Sequence, residues 1–446
     1  MGERLDGETA TAAGSTRREV LEKAAAGALA AGGVAMWAKP AGAYSRITAR
    51  PLKIGFFGSF TGPLALSGLD LRRGFELFLE ARGGRLLGRP VEVVFEDDAS
   101  NPGLALTKVR KMTEQDRVAI VAGGVNAAAG PPVFDYVNAV GMPWVNSLIA
   151  TDDLTQRLAE RNTYMIRIGE SASQAAHYFG EYVRKSLRYT RVATVGTDFL
   201  FGYQNVSGFQ DVFQRLGGRV VQKLWVPLGA ADHTPFVSRI DRDVDAVYAA
   251  FAAIDAIRFM TVFQQLGLKG NVPLIGNYTL TDEVTLASTG LPRSAAEGIV
   301  TAARYSAVVD NAQNRDFQRR YNAKHQGASV GSSTAADGWI TGQAIEAAMR
   351  RRNGDTTNRR KFAAAFVGLK LTTPRGPIEI GKDRSTYSPV YIRRVRETSG
   401  KVPPGYSLPL MNEVVRTIPR ANQYWKFQVA GYLARPPYSR DYPPTR

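Results

Sequence analysis

Residues 52–57, Leu-Lys-Ile-Gly-Phe-Phe, form a short apolar run that leads through Thr61-Gly62-Pro63 into an amphipathic stretch at 69–81. From this point onward, short runs rich in β-branched residues alternate with longer amphipathic stretches. Such alternation is the sequence pattern of repeated βα units around a mostly parallel sheet. We therefore predict an α/β fold whose first strand is 52–57.

The predicted elements fall into two sets. The first set has strands at 52–57, 91–96, 118–122 and 143–146 and helices at 69–81, 103–114 and 131–140. The second set begins near Tyr164 and has strands at 191–195, 219–225, 246–251, 273–275 and 298–302 and helices at 173–187, 203–216 and 254–266. Further helices are predicted at 314–325 and 334–350. The chain has 446 residues, whereas one hydrophobic core stops growing at roughly 250–300. Two doubly wound, Rossmann-like lobes joined by hinge crossovers are therefore expected.

The N-terminal residues have the features of an export signal. Thr16-Arg17-Arg18-Glu19-Val20-Leu21 precedes an Ala/Gly-rich apolar run at 24–37, and Ala41-Gly42-Ala43 supplies a small-residue cleavage site. This order is similar to a twin-arginine signal, which implies export to the periplasm by that pathway. The apolar run is shorter than the roughly 18–20 residues that span a bilayer. An Ala-rich helix or a permanent N-terminal anchor is the alternative.

The predicted organisation has five segments. They are an export signal at 1–43, the first part of lobe 1 at 51–168, the first part of lobe 2 at 169–302, the second part of lobe 1 at 303–382, and the completion of lobe 2 with a Pro- and Tyr-rich tail at 383–446. The crossovers between these segments place hinges near 169–172, 301–306 and 380–388.

Composition excludes several classes of site. The chain contains no cysteine, so disulfides and thiolate metal sites are excluded, and it contains only three histidines. Its formal charge of +17 is spread along the chain without a zinc-finger or other nucleic-acid-binding motif. We therefore expect no metal, no cofactor and no nucleic-acid partner. The positive charge is compatible with a preference for anionic solutes.

A series of motifs carries a resemblance to a known family. Leu52-Lys53-Ile54-Gly55, Arg73-Gly74-Phe75-Glu76-Leu77 and the run from Leu87 to Pro102 resemble the opening of the leucine/isoleucine/valine-binding protein family. Further matches continue in order to about residue 396. The resemblance implies the type I periplasmic binding protein fold and a non-catalytic protein that closes on a small organic solute. It also implies the permease and ATPase subunits of an ABC importer as partners.

The ligand-binding positions implied by this resemblance depart from the family pattern. Amino-acid-binding members place hydroxyl side chains after the third and fourth strands, where this chain has Ala127 and Ala150. A buried zwitterion that loses a hydrogen-bond partner is destabilised by roughly 1–3 kcal/mol. A shift of one residue would bring in Asn126 or Thr151 instead.

The remaining implied positions are mostly apolar or aromatic. They are Ser67 and Leu148 on the first lobe and Phe201, Phe251 and Tyr278 on the second, with Tyr203 nearby. Aromatic walls suit a planar or hydrophobic ligand, which Asn126, Tyr203 and Tyr278 would orient. We therefore expect an aromatic or other non-amino-acid solute. The alternative that Phe201 and Phe251 are core residues stays open.

Two other function classes are alternatives to solute import. An enzyme is not expected, because the sequence has no G-x-S-x-G elbow, no S-x-x-K motif and no H-E-x-x-H metal motif. His177, His233 and His325 are interpreted as surface or capping residues. A periplasmic ligand-binding sensor that acts with a membrane receptor is the alternative function.

Overall fold

The computed structural model describes residues 50–325, 330–400 and 402–442. The predicted export signal at 1–43 therefore lies outside the described residues. The described chain forms two α/β lobes, each built on its own sheet. This confirms the predicted fold class.

The first sheet has six strands in the order β2-β3-β1-β4-β5-β6. They are β1 (Leu52–Gly58), β2 (Arg85–Leu86), β3 (Arg89–Asp97), β4 (Ile120–Gly123), β5 (Trp144–Asn146) and β6 (Met165–Arg167). All neighbours are parallel except β2 and β3. The central strand β1 pairs Leu52 with Val91 on one side and Ile54 with Ile120 on the other. Strands β1 and β4 are buried along almost their whole length, as expected for a sheet covered on both faces.

The second sheet has nine strands. They are β7 (Arg191–Thr197), β8 (Arg219–Val226), β9 (Ala246–Ala250), β10 (Leu274–Asn277), β11 (Val300–Ala303), β12 (Lys370–Thr373), β13 (Gly376–Ile380), β14 (Thr386–Glu397) and β15 (Leu410–Ala421). The order is β12-β13-β14-β11-β10-β9-β7-β8, and β15 pairs with β14. Strands β7 to β11 are parallel to one another, whereas β12 to β15 pair antiparallel, as does β14 with β11.

The helices connect and cover these strands. They are α1 (Ala65–Ala81), α2 (Pro102–Glu114), α3 (Gly130–Val140), α4 (Ala172–Lys185), α5 (Leu200–Arg215), α6 (Thr234–Val237), α7 (Ala253–Gln265), α8 (Glu283–Leu286), α9 (Arg293–Ala296), α10 (Ala312–Lys324), α11 (Ser333–Arg351), α12 (Arg359–Ala364) and α13 (Val429–Ala434). Helix α11 packs against α1, and α4 packs against α5.

The sheet to which each strand belongs can be compared with the domain boundaries predicted from the sequence. Helices α10 and α11 pack against the first lobe, since both contact α1. Strands β12 and β13, which those boundaries place in lobe 1, pair in series with β14 of the second sheet. The boundaries stay a prediction. We propose that the second stretch of lobe 1 ends near residue 369.

Candidate functional site

A cavity of about 30 Å³ lies where the carboxyl ends of the two sets of parallel strands face each other. The first lobe contributes the loops after β1, β4 and β5, and the second contributes those after β7, β9 and β10. Its lining residues are Leu64, Ser67, Val125, Ala127, Leu148, Phe199, Phe201, Ala252, Tyr278 and Thr279. Ligands of open α/β sheets bind at this end of the strands, which makes the cavity the candidate solute site.

The first wall depends on close backbone approach at two glycines. A Cβ atom at Gly68 would lie 1.8 Å from the Ser59 carbonyl oxygen, so only glycine lets the first turn of α1 rest on the loop after β1. Gly123 ends β4 with a φ of +93°, and a Cβ there would lie 2.2 Å from the Phe57 oxygen. These contacts bring Ser67 and Ala127 to the cavity.

The second wall is aromatic. The Phe201 and Tyr278 rings meet edge to face with centroids 6.3 Å apart, and the Phe199 ring lies 5.9 Å from that of Phe201. Burial raises the pKa of Tyr278 to about 12, so its phenol stays protonated at neutral pH. The Thr279 hydroxyl donates to the Phe251 carbonyl at 2.6 Å. The wall therefore offers ring faces and one phenol.

The lining is uncharged, yet several helix N-termini surround it. Helices α1, α5 and α7 begin at the cavity, and short 3₁₀ helices begin at Ala127 and Tyr278. The amide end of a helix carries partial positive charge, and it stabilises a nearby anion. The cavity therefore combines apolar walls with a positive potential from the backbone.

The structure brings five of the ten predicted site residues together. Ser67, Ala127, Leu148, Phe201 and Tyr278 all line the cavity. Ala150 packs in the same cluster as Ala127 and Phe201, directly beside the lining. The set as a whole stays a prediction, since contact with a ligand is not shown.

The other predicted residues have partners outside the lining. The Asn126 amide donates to the Ser100 carbonyl at 2.7 Å, and its oxygen accepts from the Ala128 amide as a helix cap. The Thr151 hydroxyl donates to Asp153 at 3.0 Å. A shift of one residue therefore does not bring free hydrogen-bonding groups to the positions of Ala127 and Ala150.

Two aromatic residues of the predicted set also point to other neighbours. The Tyr203 hydroxyl donates to Asp198 at 2.6 Å, and its ring packs edge-on against Trp225. The Phe251 ring is buried and stacks on Phe259 with centroids 4.6 Å apart. Phe251 is a core residue, the alternative that the sequence left open.

Sequence reasoning missed half of the lining: Leu64, Val125, Phe199, Ala252 and Thr279. Phe199 and Ala252 directly precede α5 and α7, and both helices begin earlier than the sequence predicted. Placing the helix starts correctly would have identified these two residues.

A buried ion cluster lies behind the aromatic wall. Arg304, which follows β11, donates to both carboxylate oxygens of Asp337 on α11 and to Glu170 at 3.1 Å. Arg375 donates to the other side of Asp337 at 2.6 Å. Glu170 and Arg304 fall within two of the predicted hinges. The cluster thus joins the second sheet to a helix that packs against α1.

Two of the three histidines are not where the sequence placed them, whereas His325 is partly exposed and is the C-cap residue of α10. His177 and His233 are fully buried, which corrects their interpretation as surface or capping residues. His177 contacts the Tyr438 hydroxyl at 2.8 Å, and His233 lies 3.7 Å from Asp255. Within 50–325, 330–400 and 402–442, no group of three or more His, Asp or Glu residues is placed to hold a metal ion.

Comparison with known proteins identifies the family. A family model described as "Periplasmic binding protein" matches residues 51–401, and the chain belongs to this family. A curated relative, the Leu/Ile/Val-binding protein homolog 6 of Brucella suis biovar 1, is 25% identical over 353 residues, which cover 77% of this chain and 87% of the relative. In the part of the chain that the structure describes, no helix meets the length and hydropathy needed to cross a membrane.

Two solved structures are also similar. An ABC transporter substrate-binding protein from Sphaerobacter thermophilus is 28% identical with a TM-score of 0.76, covering 84% of this chain and 99% of that one. A solute-binding protein of an ABC transporter from Rhodopseudomonas palustris BisB5, in complex with 3,4-dihydroxybenzoic acid, is 25% identical with a TM-score of 0.76. That match covers 84% of this chain and 98% of the other.

Proposed function

We propose that this protein is the periplasmic substrate-binding component of an ABC importer and that its solute is a small aromatic carboxylate. The observation that carries the proposal is the cavity itself. It is walled by Phe199, Phe201 and Tyr278, it is lined by uncharged side chains, and helix N-termini surround it. Ring faces suit a planar ligand, and the backbone dipoles suit its carboxylate.

Free amino acids fit this cavity less well. An α-ammonium group needs acceptor oxygens, whereas Ala127 and Leu148 present only methyl groups from the first wall. A buried ammonium group without partners would be strongly destabilised. The similar Rhodopseudomonas palustris protein was crystallised with a dihydroxybenzoic acid, which supports an aromatic acid here.

Import requires export of the protein and closure of its lobes. The order Thr16-Arg17-Arg18 supports export through the twin-arginine pathway, after folding. A solute that contacts both walls stabilises the closed arrangement, because its differential affinity for that state shifts the population. The closed, loaded protein would then dock on the permease, and ATP hydrolysis would drive transport. The family is one of binding proteins, so no catalytic step is assigned.

A ligand screen tests this proposal. Benzoate, mono- and dihydroxybenzoates, leucine, isoleucine and phenylalanine are added separately, and melting temperature and titration heat are measured. A ligand at 100 times its Kd should stabilise the fold by about 2.7 kcal/mol. We expect stabilisation by one or more aromatic acids and a smaller radius of gyration in solution scattering. Stabilisation by amino acids alone would contradict the proposal.

A further inference from the structure

The last described segment of the chain, residues 422–442, follows β15 and is here named the C-terminal strap. It lies beyond residue 401, where the match to the family model ends. The strap contains α13 and a high proportion of aromatic residues. The family model therefore does not extend over the strap.

The strap is anchored on the second lobe by buried polar contacts. Asp211 on α5 accepts hydrogen bonds from Arg435 and from the Tyr438 hydroxyl, each at 2.7 Å. His177 on α4 contacts the same hydroxyl at 2.8 Å. The Arg435 guanidinium also lies 4.4 Å from the centre of the Phe427 ring. These contacts fix the strap along α4 and α5.

The same segment also bonds to the first lobe. The Thr155 hydroxyl donates to the Gln423 side-chain oxygen at 2.6 Å, and the Gln423 amide donates back to the Thr155 carbonyl at 3.0 Å. The Gln156 amide donates to the carbonyls of Tyr432 and Arg435 at 2.9 and 3.2 Å. All three side chains are buried. They tie the strap to the loop between β5 and β6, which carries the cavity residue Leu148.

The far end of the strap reaches the opposite wall. The Arg440 guanidinium donates to Asp198 at 3.1 Å. Asp198 directly follows β7 and precedes Phe199, which lines the cavity. The strap thus contacts, on each lobe, a loop that carries a cavity residue.

We propose that the C-terminal strap is a positioning element of the solute site, holding the cleft loops of both lobes and slowing the opening of the cleft. The proposal rests on solute binding as the function. Gln156, Gln423 and Arg440 are positioning residues, since they act through Leu148 and Phe199 rather than by touching solute. Buried hydrogen bonds between the lobes must break before the loops separate, so their loss should favour the open state.

The first test measures lobe separation without any solute. The chain has no cysteine, so a spin label can be attached at each of two introduced cysteines in one molecule. The positions are Leu69→Cys on the first lobe and Ala231→Cys on the second, and both are exposed. We expect the double variant Gln156→Ala/Gln423→Ala to lengthen and broaden the label distance distribution. Val429→Ala, an exposed position on the strap, is the matched control and should leave the distribution unchanged.

An unchanged distribution in the folded double variant would overturn the proposal, whatever the solute proves to be. Circular dichroism establishes that the variant is folded. Should the double variant fail to fold, Arg440→Ala replaces it, because it removes only an exposed contact at the end of the strap. Since the labels report on empty protein, failure of this test is distinct from failure of the proposed solute class.

The second test measures solute release by stopped-flow tryptophan fluorescence, with the aromatic acid identified in the screen. We expect the double variant, which removes the four hydrogen bonds that these glutamines make between the strap and the first lobe, to release solute about tenfold faster or more. Arg440→Ala should also speed release, and Arg440→Lys should restore part of the wild-type rate. A lower melting temperature with an unchanged release rate would show a purely structural strap and would overturn the proposal.

Discussion

The Arg304 guanidinium lies 4.3 Å from the centre of the Tyr278 ring, so a charge of the buried ion cluster rests directly on the wall of the cavity. The same Arg304 guanidinium donates a hydrogen bond to Asp337 of α11. A cation held over a ring is attracted by the ring quadrupole. The position of the cavity wall is therefore linked to the salt bridge that joins the two lobes.

Tyr278→Ala should weaken aromatic-acid binding by about 10- to 100-fold, because it removes a buried ring from the cavity wall. Tyr278→Phe keeps the ring and loses only the phenol, so it should retain most of the affinity if the ring face is what binds. Isothermal titration of both variants measures the difference. Equal losses would instead assign the binding energy to the hydroxyl.

Asp337→Asn should lower the free energy of unfolding by about 3–5 kcal/mol, since it leaves buried Arg304 and Arg375 without their shared carboxylate. Urea denaturation measures the loss. Asp316→Asn is the control, because Asp316 pairs with Arg320 at the surface, where an ion pair contributes about 0–1 kcal/mol. Similar losses in the two variants would contradict the importance of the buried cluster.

His177 should make the fold sensitive to acid. Burial lowers its pKa to about 3, and nearby Arg435 acts in the same direction while Asp211 opposes it. The unfolded chain takes up this proton near pH 6.5 and the folded chain does not, so stability is lost as the pH falls from 6.5 toward 3. His177→Gln should therefore show a smaller drop in melting temperature between pH 7 and pH 4.5.

The comparison between variant and wild type isolates this histidine. Burial raises the pKa of Asp70 and of Asp152 to about 6. These two carboxyls act in the opposite sense, because the folded state gains stability as the pH falls through that value. Both carboxyls are present in both proteins, so their contribution cancels. A His177→Gln variant with the wild-type pH response would show that His177 is protonated in the folded state.

Asn126→Ala should lower the free energy of unfolding by about 0.5–2 kcal/mol, the usual effect of losing an N-cap. The Asn126 side chain is bonded to the Ser100 carbonyl and the Ala128 amide, so solute affinity should change little. Denaturation and titration of the same variant separate the two effects. A large loss of affinity with little loss of stability would return Asn126 to the set of solute-orienting residues.

The parallel cores of both lobes could be predicted from the sequence, because their strands are continuous apolar runs that alternate with amphipathic helices. Strand β14 could not, since it carries Pro389 and four charged residues and lacks a clear period. Its pairing with β11 and β15 supplies the sheet context that overrides local propensity. The antiparallel half of the second sheet was missed for this reason.

Errors in predicting where the helices begin account for part of the site that was missed. The sequence predicted that the first helix begins at residue 69, whereas Gly68 lies inside α1, where the helix closely approaches the Ser59 carbonyl. The partners of Asn126 and Tyr203 are distant in sequence or on other elements, so no local pattern reveals that their polar groups are occupied. Ser67, Phe201 and Tyr278 were supplied by the resemblance to the family and not by a local sequence pattern.

The close contact between α1 and α11 sets the order in which the chain can fold during synthesis. A Cβ atom at Gly74 would lie 1.8 Å from the Ala335 carbonyl oxygen, so the two helices pack almost backbone to backbone. Ribosomes add about 5–20 residues per second, so α1 waits on the order of tens of seconds for its partner. During that time the face of α1 that packs against α11 has no partner, and we expect the nascent chain to expose it until Arg351 has left the ribosome.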